Sequence, residues 1–262
     1  MIDELRLKEL LSGICRVDVR DLIDSTNAEA KRIAQDIYDK GDLSPVLIIA
    51  REQTAGRGRM GRSFLSRADK GIFMSLLYFT EKELADAISV TTAAAAFVAC
   101  EIEAACGRPM RIKWVNDVYN DRGKVCGILA ETLRIGSVNA VIVGIGINIG
   151  ADDFPEELRG IASSIGNIGE KEELLISGIT RRLIVHGKSP EKREYMDAYR
   201  KRFMLQGEDV ELLQGGEVIG SGRVLGVDDD GGLLLIPDGE SREIVIRSGE
   251  VSVRKNKTEN SL

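Results

Sequence analysis

Three apolar runs of strand length follow one another at residues 110–115, 124–133 and 138–147, separated only by turn residues such as Asn120-Asp121 and Gly136-Ser137. No helix-length segment lies between them, so this part of the chain cannot follow the strict strand–helix alternation of a parallel sheet. Two more runs, 46–50 and 71–79, and helical patterns near 82–106, 171–186 and 190–204 complete a picture of clustered strands with flanking helices. An α+β fold around a mixed or antiparallel sheet is expected. A further helix should open at Thr26-Asn27-Ala28-Glu29, which has the form of a capping box. Ala30, Ile33, Ala34, Ile37 and Tyr38 follow at helical spacing, and Gly41 is the stop.

The pattern changes at Gly207. Residues 208–254 are short β-type runs broken by Gly215-Gly216, Asp228–Gly232 and Asp238-Gly239, as in a small barrel built from hairpins. The expected organisation is a larger domain over 1–206, a small β-barrel over 207–254 and a disordered tail over 255–262.

Charge narrows the possible functions. The chain has 36 Lys+Arg against 42 Asp+Glu, a net charge of −6. Residues 207–254 hold eleven acids and four arginines, net −7, a poor surface for nucleic acid. The N-terminus alternates charge with leucine instead of forming a signal peptide, and no apolar stretch is expected to reach the ~20 residues of a membrane span. A cytoplasmic protein follows. Cys15, Cys100, Cys106 and Cys126 form no C-x-x-C pair and have no clustered histidine, so they are read as reduced thiols and no metal ligands are assigned. His186, the single histidine, is expected to favour a helix C-terminus ending before Gly187.

Against this acidic background, residues 56–62 read Gly-Arg-Gly-Arg-Met-Gly-Arg. Glycine lets backbone approach a ligand closely, and guanidinium groups grip phosphate or carboxylate oxygens. The spacing Gly56, Gly58, Gly61 also satisfies the dinucleotide fingerprint, but that motif needs a strand running straight into it and a helix opening directly after it. Arg51–Ala55 intervenes before it, and 62–71 has no helical repeat. A loop between two strands that closes over a small anionic ligand fits better.

Four other segments place polar residues among apolar ones: Asp24-Ser25-Thr26-Asn27, Lys113-Trp114-Val115-Asn116-Asp117, Lys124-Val125-Cys126-Gly127 and Gly144-Ile145-Gly146-Ile147-Asn148. With Gln53 and the arginine loop, and in this order, they resemble the biotin protein ligases. The match runs to Gly249-Glu250-Val251-Ser252-Val253-Arg254. Val115 stands where the family has proline, which removes a fixed φ angle from the turn presenting Asn116 and Asp117.

The resemblance implies a class II synthetase-like catalytic domain with an SH3-like C-terminal barrel. It also implies formation of biotinyl-5′-AMP from biotin and ATP with Mg2+, then transfer to a lysine of a biotin carboxyl carrier protein. By similarity Arg59, Lys113 and Lys124 are the catalytic residues, Lys124 bridging the biotin carboxyl and α-phosphate and Arg59 clamping the adenylate. Ser25, Thr26 and Gln53 are assigned to biotin's ureido ring and sulfur, and Asn27 to the binding set. Gly56, Arg57, Gly58, Trp114, Asn116, Asp117, Gly127, Gly146, Asn148 and Arg254 complete the implied binding set. With only 23 residues before Asp24, no DNA-binding domain is expected, and the resemblance is compatible with a monomer or a homodimer. A lipoate or octanoate ligase of the same fold, or a non-catalytic biotin or nucleotide sensor, remains the alternative.

Overall fold

The computed structural model describes residues 2–82, 87–247 and 251–255. Strands β1 (Arg16–Ile23), β2 (Val46–Gln53), β3 (Gly71–Thr80), β4 (Arg111–Lys113), β5 (Asp117–Tyr119), β6 (Lys124–Ile135) and β7 (Val138–Asn148) form a seven-stranded sheet ordered β1-β2-β3-β7-β6-β5-β4. β1 and β2 are parallel, joined by helix α2 (Thr26–Asp39), and every other neighbouring pair is antiparallel. The mixed sheet expected from the clustered strands is therefore present.

Side-chain alternation puts one apolar set on each face of this sheet. On β2, Val46 and Ile48 pack with Ala30, Ala34 and Ile37 of α2. Leu47 and Ile49 face the other way and share the larger core with helices α1 (Glu4–Leu10), α3 (Ala87–Cys106), α4 (Glu172–Lys188) and α5 (Tyr195–Arg202). The helix α2 begins one residue away from the expected box: Ser25 is the N-cap, extended at φ −160°, and makes no side-chain capping bond. Thr26 lies in the first turn instead, with its side chain turned to the sheet. Gly41, at φ +70°, follows the C-cap Lys40 and reverses the chain where a Cβ would be disfavoured.

Helix α3 corrects one expectation. Ile88–Cys106 has a mean hydropathy of 1.5 over a span-length window and is long and apolar enough to cross a membrane, yet 72% of that window is buried inside the protein. Its apolar character is that of a core helix packed on both sides. The expected start of this helix near residue 82 falls partly on residues outside those described.

A second sheet, antiparallel and five-stranded, is ordered β11-β10-β9-β8-β12, from β8 (Asp209–Gln214), β9 (Glu217–Val227), β10 (Leu233–Pro237), β11 (Ile244–Ile246) and β12 (Val251–Lys255). Its Val210, Val224, Leu233 and Val253 belong to the same apolar cluster as Ile102, Met110 and Trp114, so the core is continuous between the sheets. Arg200 Nε donates to the Val227 carbonyl at 3.2 Å across that junction. Lys255, assigned to the tail by sequence, ends β12; residues 256–262 lie outside those described, as do Gly249 and Glu250.

Candidate active site

The cleft forms where α2 starts, β2 ends and β6 and β7 run side by side, and its lining includes Ser25, Thr26, Gln53, Asn116, Lys124 and Gly146. Its inner end is neutral and hydrogen-bonded. Gln53 Oε1 accepts from the Thr26 backbone N–H at 2.8 Å and lies 3.2 Å from Thr26 Oγ1, while Gln53 Nε2 donates to Ser66 Oγ at 2.8 Å. Ser66 Oγ donates to the Phe64 carbonyl at 3.1 Å, which ties the inner end to the arginine loop. The Asn27 amide donates to Glu131 Oε2 at 2.8 Å and to the Leu129 carbonyl at 3.2 Å. Glycine makes the room. A Cβ on Gly144 would collide with Asn27 Oδ1, and one on Gly146 would stand 2.6 Å from the Phe64 ring.

The outer end is cationic. The segment 56–62 connects antiparallel strands β2 and β3 through a one-turn 3-10 helix at Arg59–Gly61, so neither the strand-to-helix context nor the parallel pairing of a dinucleotide fold is present. Arg59 Nη1 donates to Asn116 Oδ1 at 2.7 Å. Burial lowers the Arg59 pKa from its ordinary value, opposed by the charge of Asp117, and a guanidinium stays protonated under such shifts. Lys124 Nζ lies 2.7 Å from Asp117 Oδ1, its ion-pair partner in the cleft wall. Lys113, Trp114 and Arg254 border the outer compartment with Arg59 and Lys124.

The segment around Trp114 does not simply end a strand. Lys113 closes β4 and Asp117 opens β5, so residues 113–117 form the turn of a hairpin whose strands are three residues each. The Asn116 amide donates to the Ile128 carbonyl at 2.9 Å, fixing this turn to β6.

Several assigned residues sit behind the cleft surface. Trp114 is buried and its indole N–H donates to the Gly231 carbonyl of the second sheet at 2.9 Å, so that proton is committed to structure. Asn148 is buried and donates to the Ser163 carbonyl at 3.0 Å and the Lys124 carbonyl at 3.4 Å, holding the β6 backbone that carries Lys124. Gly56 is buried under the loop, where a Cβ would stand 2.6 Å from Ser66 Oγ. A Cβ on Gly127 would stand 3.1 Å from Lys124 Nζ, so glycine there leaves the ammonium its place. Arg57 and Gly58 line the cleft itself. Arg254 is exposed, with its Nε donating to Glu211 at 2.7 Å.

His186 is corrected. Helix α4 continues to Lys188, and the imidazole is buried against Phe97 and Tyr195, with ring centroids 6.0 and 5.1 Å away. Burial pushes its pKa down to about 4, so it is neutral and offers no charge to the helix end. It lines a separate groove.

Among the described residues no group of three His, Cys, Asp or Glu side chains is placed to hold a metal ion. Magnesium is commonly carried by substrate phosphates with one or two carboxylates in support. Asp117 is the carboxylate bordering the outer compartment. Three residues escaped sequence reasoning: Phe64, Ser66 and Ser75. The signal for Ser75 was a hydroxyl amid the apolar run Gly71–Phe79.

Known proteins share this architecture. Residues 19–148 match the model of the biotin/lipoate A/B protein ligase family and residues 206–254 that of the biotin protein ligase C-terminal domain. The bifunctional ligase/repressor BirA of Bacillus spizizenii is 36% identical over 227 residues, spanning 82% of this chain and 68% of that protein. The biotin–[acetyl-CoA-carboxylase] ligase of Paracoccus denitrificans is 34% identical over 245 residues, spanning 87% and 96%. The biotin protein ligase from Aquifex aeolicus in complex with biotin and ATP superposes with a TM-score of 0.72 at 28% identity, covering 92% of this chain and 99% of that one. The chain therefore belongs to the biotin protein ligases.

Proposed function

We propose that this chain joins biotin to ATP as biotinyl-5′-AMP and then passes the biotinyl group to a lysine of a biotin carboxyl carrier domain. The observation that carries the proposal is the union, in one cleft, of a neutral hydrogen-bonding end at Thr26 and Gln53 with a cationic end at Arg57, Arg59 and Lys124. A cyclic urea suits the first and two anions suit the second.

In the first step a biotin carboxylate oxygen bonds to the α-phosphorus of ATP, and the bond from that phosphorus to the pyrophosphate oxygen breaks. Lys124 is assigned to bridge the two reacting anions, and its pairing with Asp117 holds the ammonium in place beforehand. Arg59, oriented by Asn116, is assigned to the phosphate of the adenylate, with Arg57 and Lys113 adding positive potential. Magnesium bound to the triphosphate would neutralise the leaving pyrophosphate, and Asp117 is a carboxylate lining that compartment that would help to hold it. In the second step the deprotonated ε-amine of the carrier lysine bonds to the acyl carbon and AMP leaves. The arginine loop covers the mixed anhydride and limits its hydrolysis.

Residues 1–206 are assigned the chemistry. Residues 207–254 border the outer compartment through Leu213, Val253 and Arg254, where the carrier would approach. All these groups come from one chain, so a homodimer is not required for the reaction, which is assigned to the cytoplasm where ATP and carrier meet. The neutral end favours biotin over lipoate or octanoate, which have no ring N–H. ATP–pyrophosphate exchange with each acid tests the reading: exchange should depend on biotin, and exchange with octanoate or lipoate but not biotin would overturn it.

A further inference from the structure

Residues 228–232, the turn from β9 to β10, leave the second sheet and seat against helix α3. Gly231 is buried there at φ +89°, where a Cβ would stand 2.9 Å from Thr92 Cγ2 and 3.0 Å from Ile88 Cγ2. Such close seating at a positive φ requires glycine. Beside it Asp229 pairs with Arg200 and Asp230 with Arg193, but both carboxylates are exposed and pairs of that kind contribute little. The buried contact is of another kind: the Trp114 indole N–H donates to the Gly231 carbonyl at 2.9 Å.

Asp228 holds that carbonyl in place. Its Oδ1 accepts from the backbone N–H groups of Asp230 at 3.0 Å and Gly232 at 2.8 Å, and its own N–H donates to the Gly232 carbonyl at 2.9 Å. Aspartate side chains organise turns in this way, by bonding the backbone just ahead of them. From Gly231 a short path leads to the charged end of the cleft. Trp114 belongs to the hairpin turn 113–117, in which Asn116 Oδ1 accepts from Arg59 at 2.7 Å and Asp117 Oδ1 lies 2.7 Å from Lys124 Nζ. One side of this turn is tied to β6 through Asn116 and Ile128, and the other is tied to the second sheet through Trp114. The Tyr199 hydroxyl adds a longer bond of 3.3 Å to the Val115 carbonyl. With valine at 115 no ring fixes the φ angle here, so the turn depends on these bonds for its shape.

We propose that Asp228, in the second sheet, is a positioning residue for adenylate formation: it shapes the turn whose Gly231 carbonyl holds Trp114, and through Trp114 it sets the hairpin turn that places Arg59 and Lys124. The inference rests on the functional reading above. It assigns Asp228 no contact with substrate. Small displacements of groups that must meet two reacting anions are costly in rate, whereas biotin's ring is read at the other end of the cleft and should not register them.

Trp114 is the only tryptophan of the chain, so its fluorescence reads this contact directly. The test compares full-length wild type, Asp228→Ala, Asp228→Asn and Asp230→Ala by three measurements: single-turnover formation of biotinyl-5′-AMP at saturating biotin and MgATP, biotin affinity by isothermal titration, and tryptophan emission. Asp228→Ala should slow adenylation about tenfold and move the emission to longer wavelength while biotin affinity stays nearly constant. Asp228→Asn keeps an oxygen for both N–H groups and should restore rate and emission. Asp230→Ala removes an exposed ion pair and leaves the backbone donor, so it should behave as wild type. A wild-type rate or emission in Asp228→Ala, an equal fall in rate and biotin affinity, or an Asp228→Asn protein as slow as Asp228→Ala would overturn the role of Asp228. If Asp228→Ala does not fold, Trp114→Phe, which keeps a ring and removes the N–H, must show the same loss of rate with biotin affinity retained, and a wild-type rate there overturns the inference. Wild-type protein that forms no adenylate from biotin would instead overturn the functional reading, and the emission of Trp114 would still show whether Asp228 holds the contact.

Discussion

The two ends of the cleft are built by opposite means. At the inner end Thr26, Asn27, Gln53 and Ser75 are neutral, supported by sheet and helix, and joined by hydrogen bonds whose directions are set by their neighbours. At the outer end the groups are charged, several ride on the loop between β2 and β3, and their partners are the few polar atoms of a hairpin turn. A rigid neutral network recognises a shape and a pattern of donors. A charged loop stabilises charge that appears only during reaction, and it can move to admit ATP and carrier. Changes at the outer end should therefore alter rate, and changes at the inner end should alter affinity.

The largest effect is expected at Lys124. Lys124→Ala should lower the single-turnover rate of adenylate formation about a hundredfold or more, the range for losing one preorganised transition-state donor. Biotin affinity measured without ATP should fall by much less, through loss of the one contact to its carboxylate. A rate within a few-fold of wild type would remove Lys124 from the reacting centre, and a parallel collapse of biotin affinity would blur the division between the two ends.

Gln53→Ala is the converse. It should weaken biotin about tenfold to a hundredfold, as expected when an acceptor is lost and Thr26 and Ser66 lose their partner, while adenylation at saturating biotin stays within a few-fold. A pure loss of rate would reverse the assignment. Because Gln53 also ties to Ser66 in the loop, a small rate effect is compatible with the comparison and a large one is not.

The outer end was the more legible of the two in the sequence, and the reason is physical. Glycine alternating with arginine is conspicuous in an acidic chain, and strands 46–53 and 71–80 on either side are long enough to show as apolar runs. The mixed sheet was legible for the same reason. The inner end depends on side-chain partners that no period encodes. Ser75 is one hydroxyl in a strand, and its partner appears only when Asn27 is brought over β3 by α2 and given room by Gly144. The capping box was misplaced because Ser25 and Thr26 are both competent caps, and Thr26 is claimed by Gln53 and Ser75. The hairpin at 111–119 escaped because three-residue strands are too short for periodicity. Trp114, assigned to the binding set by resemblance, borders the outer compartment and also gives its indole N–H to Gly231, a bond between elements more than a hundred residues apart that sequence spacing does not show.

Salt should separate the ends more gently. Raising ionic strength to about 0.5 M shortens the screening length to a few ångströms, which weakens attraction between exposed cations and a triphosphate. The affinity for MgATP should fall several-fold while that for biotin alone, read by neutral groups at the inner end, stays nearly constant apart from its carboxylate. Equal salt dependence for both ligands would mean that the inner end also works chiefly by charge.

The smallest effect concerns a residue belonging to neither end, and it shows what the cleft should not do. His186 is buried with Phe97 and Tyr195; burial and the nearby Arg193 charge lower its pKa to about 4, with Glu191 opposing. In the unfolded chain an imidazole titrates near 6.5. Between those values the unfolded state binds a proton that the native state refuses, so stability must fall as pH drops through that window and lose nothing more from this group below about pH 4. His186→Phe should flatten the fall in melting temperature between pH 6.5 and about 4 without altering the pH dependence of biotin binding. An unchanged acid limb would show that the native imidazole protonates freely, and a changed binding profile would connect this separate groove to the cleft.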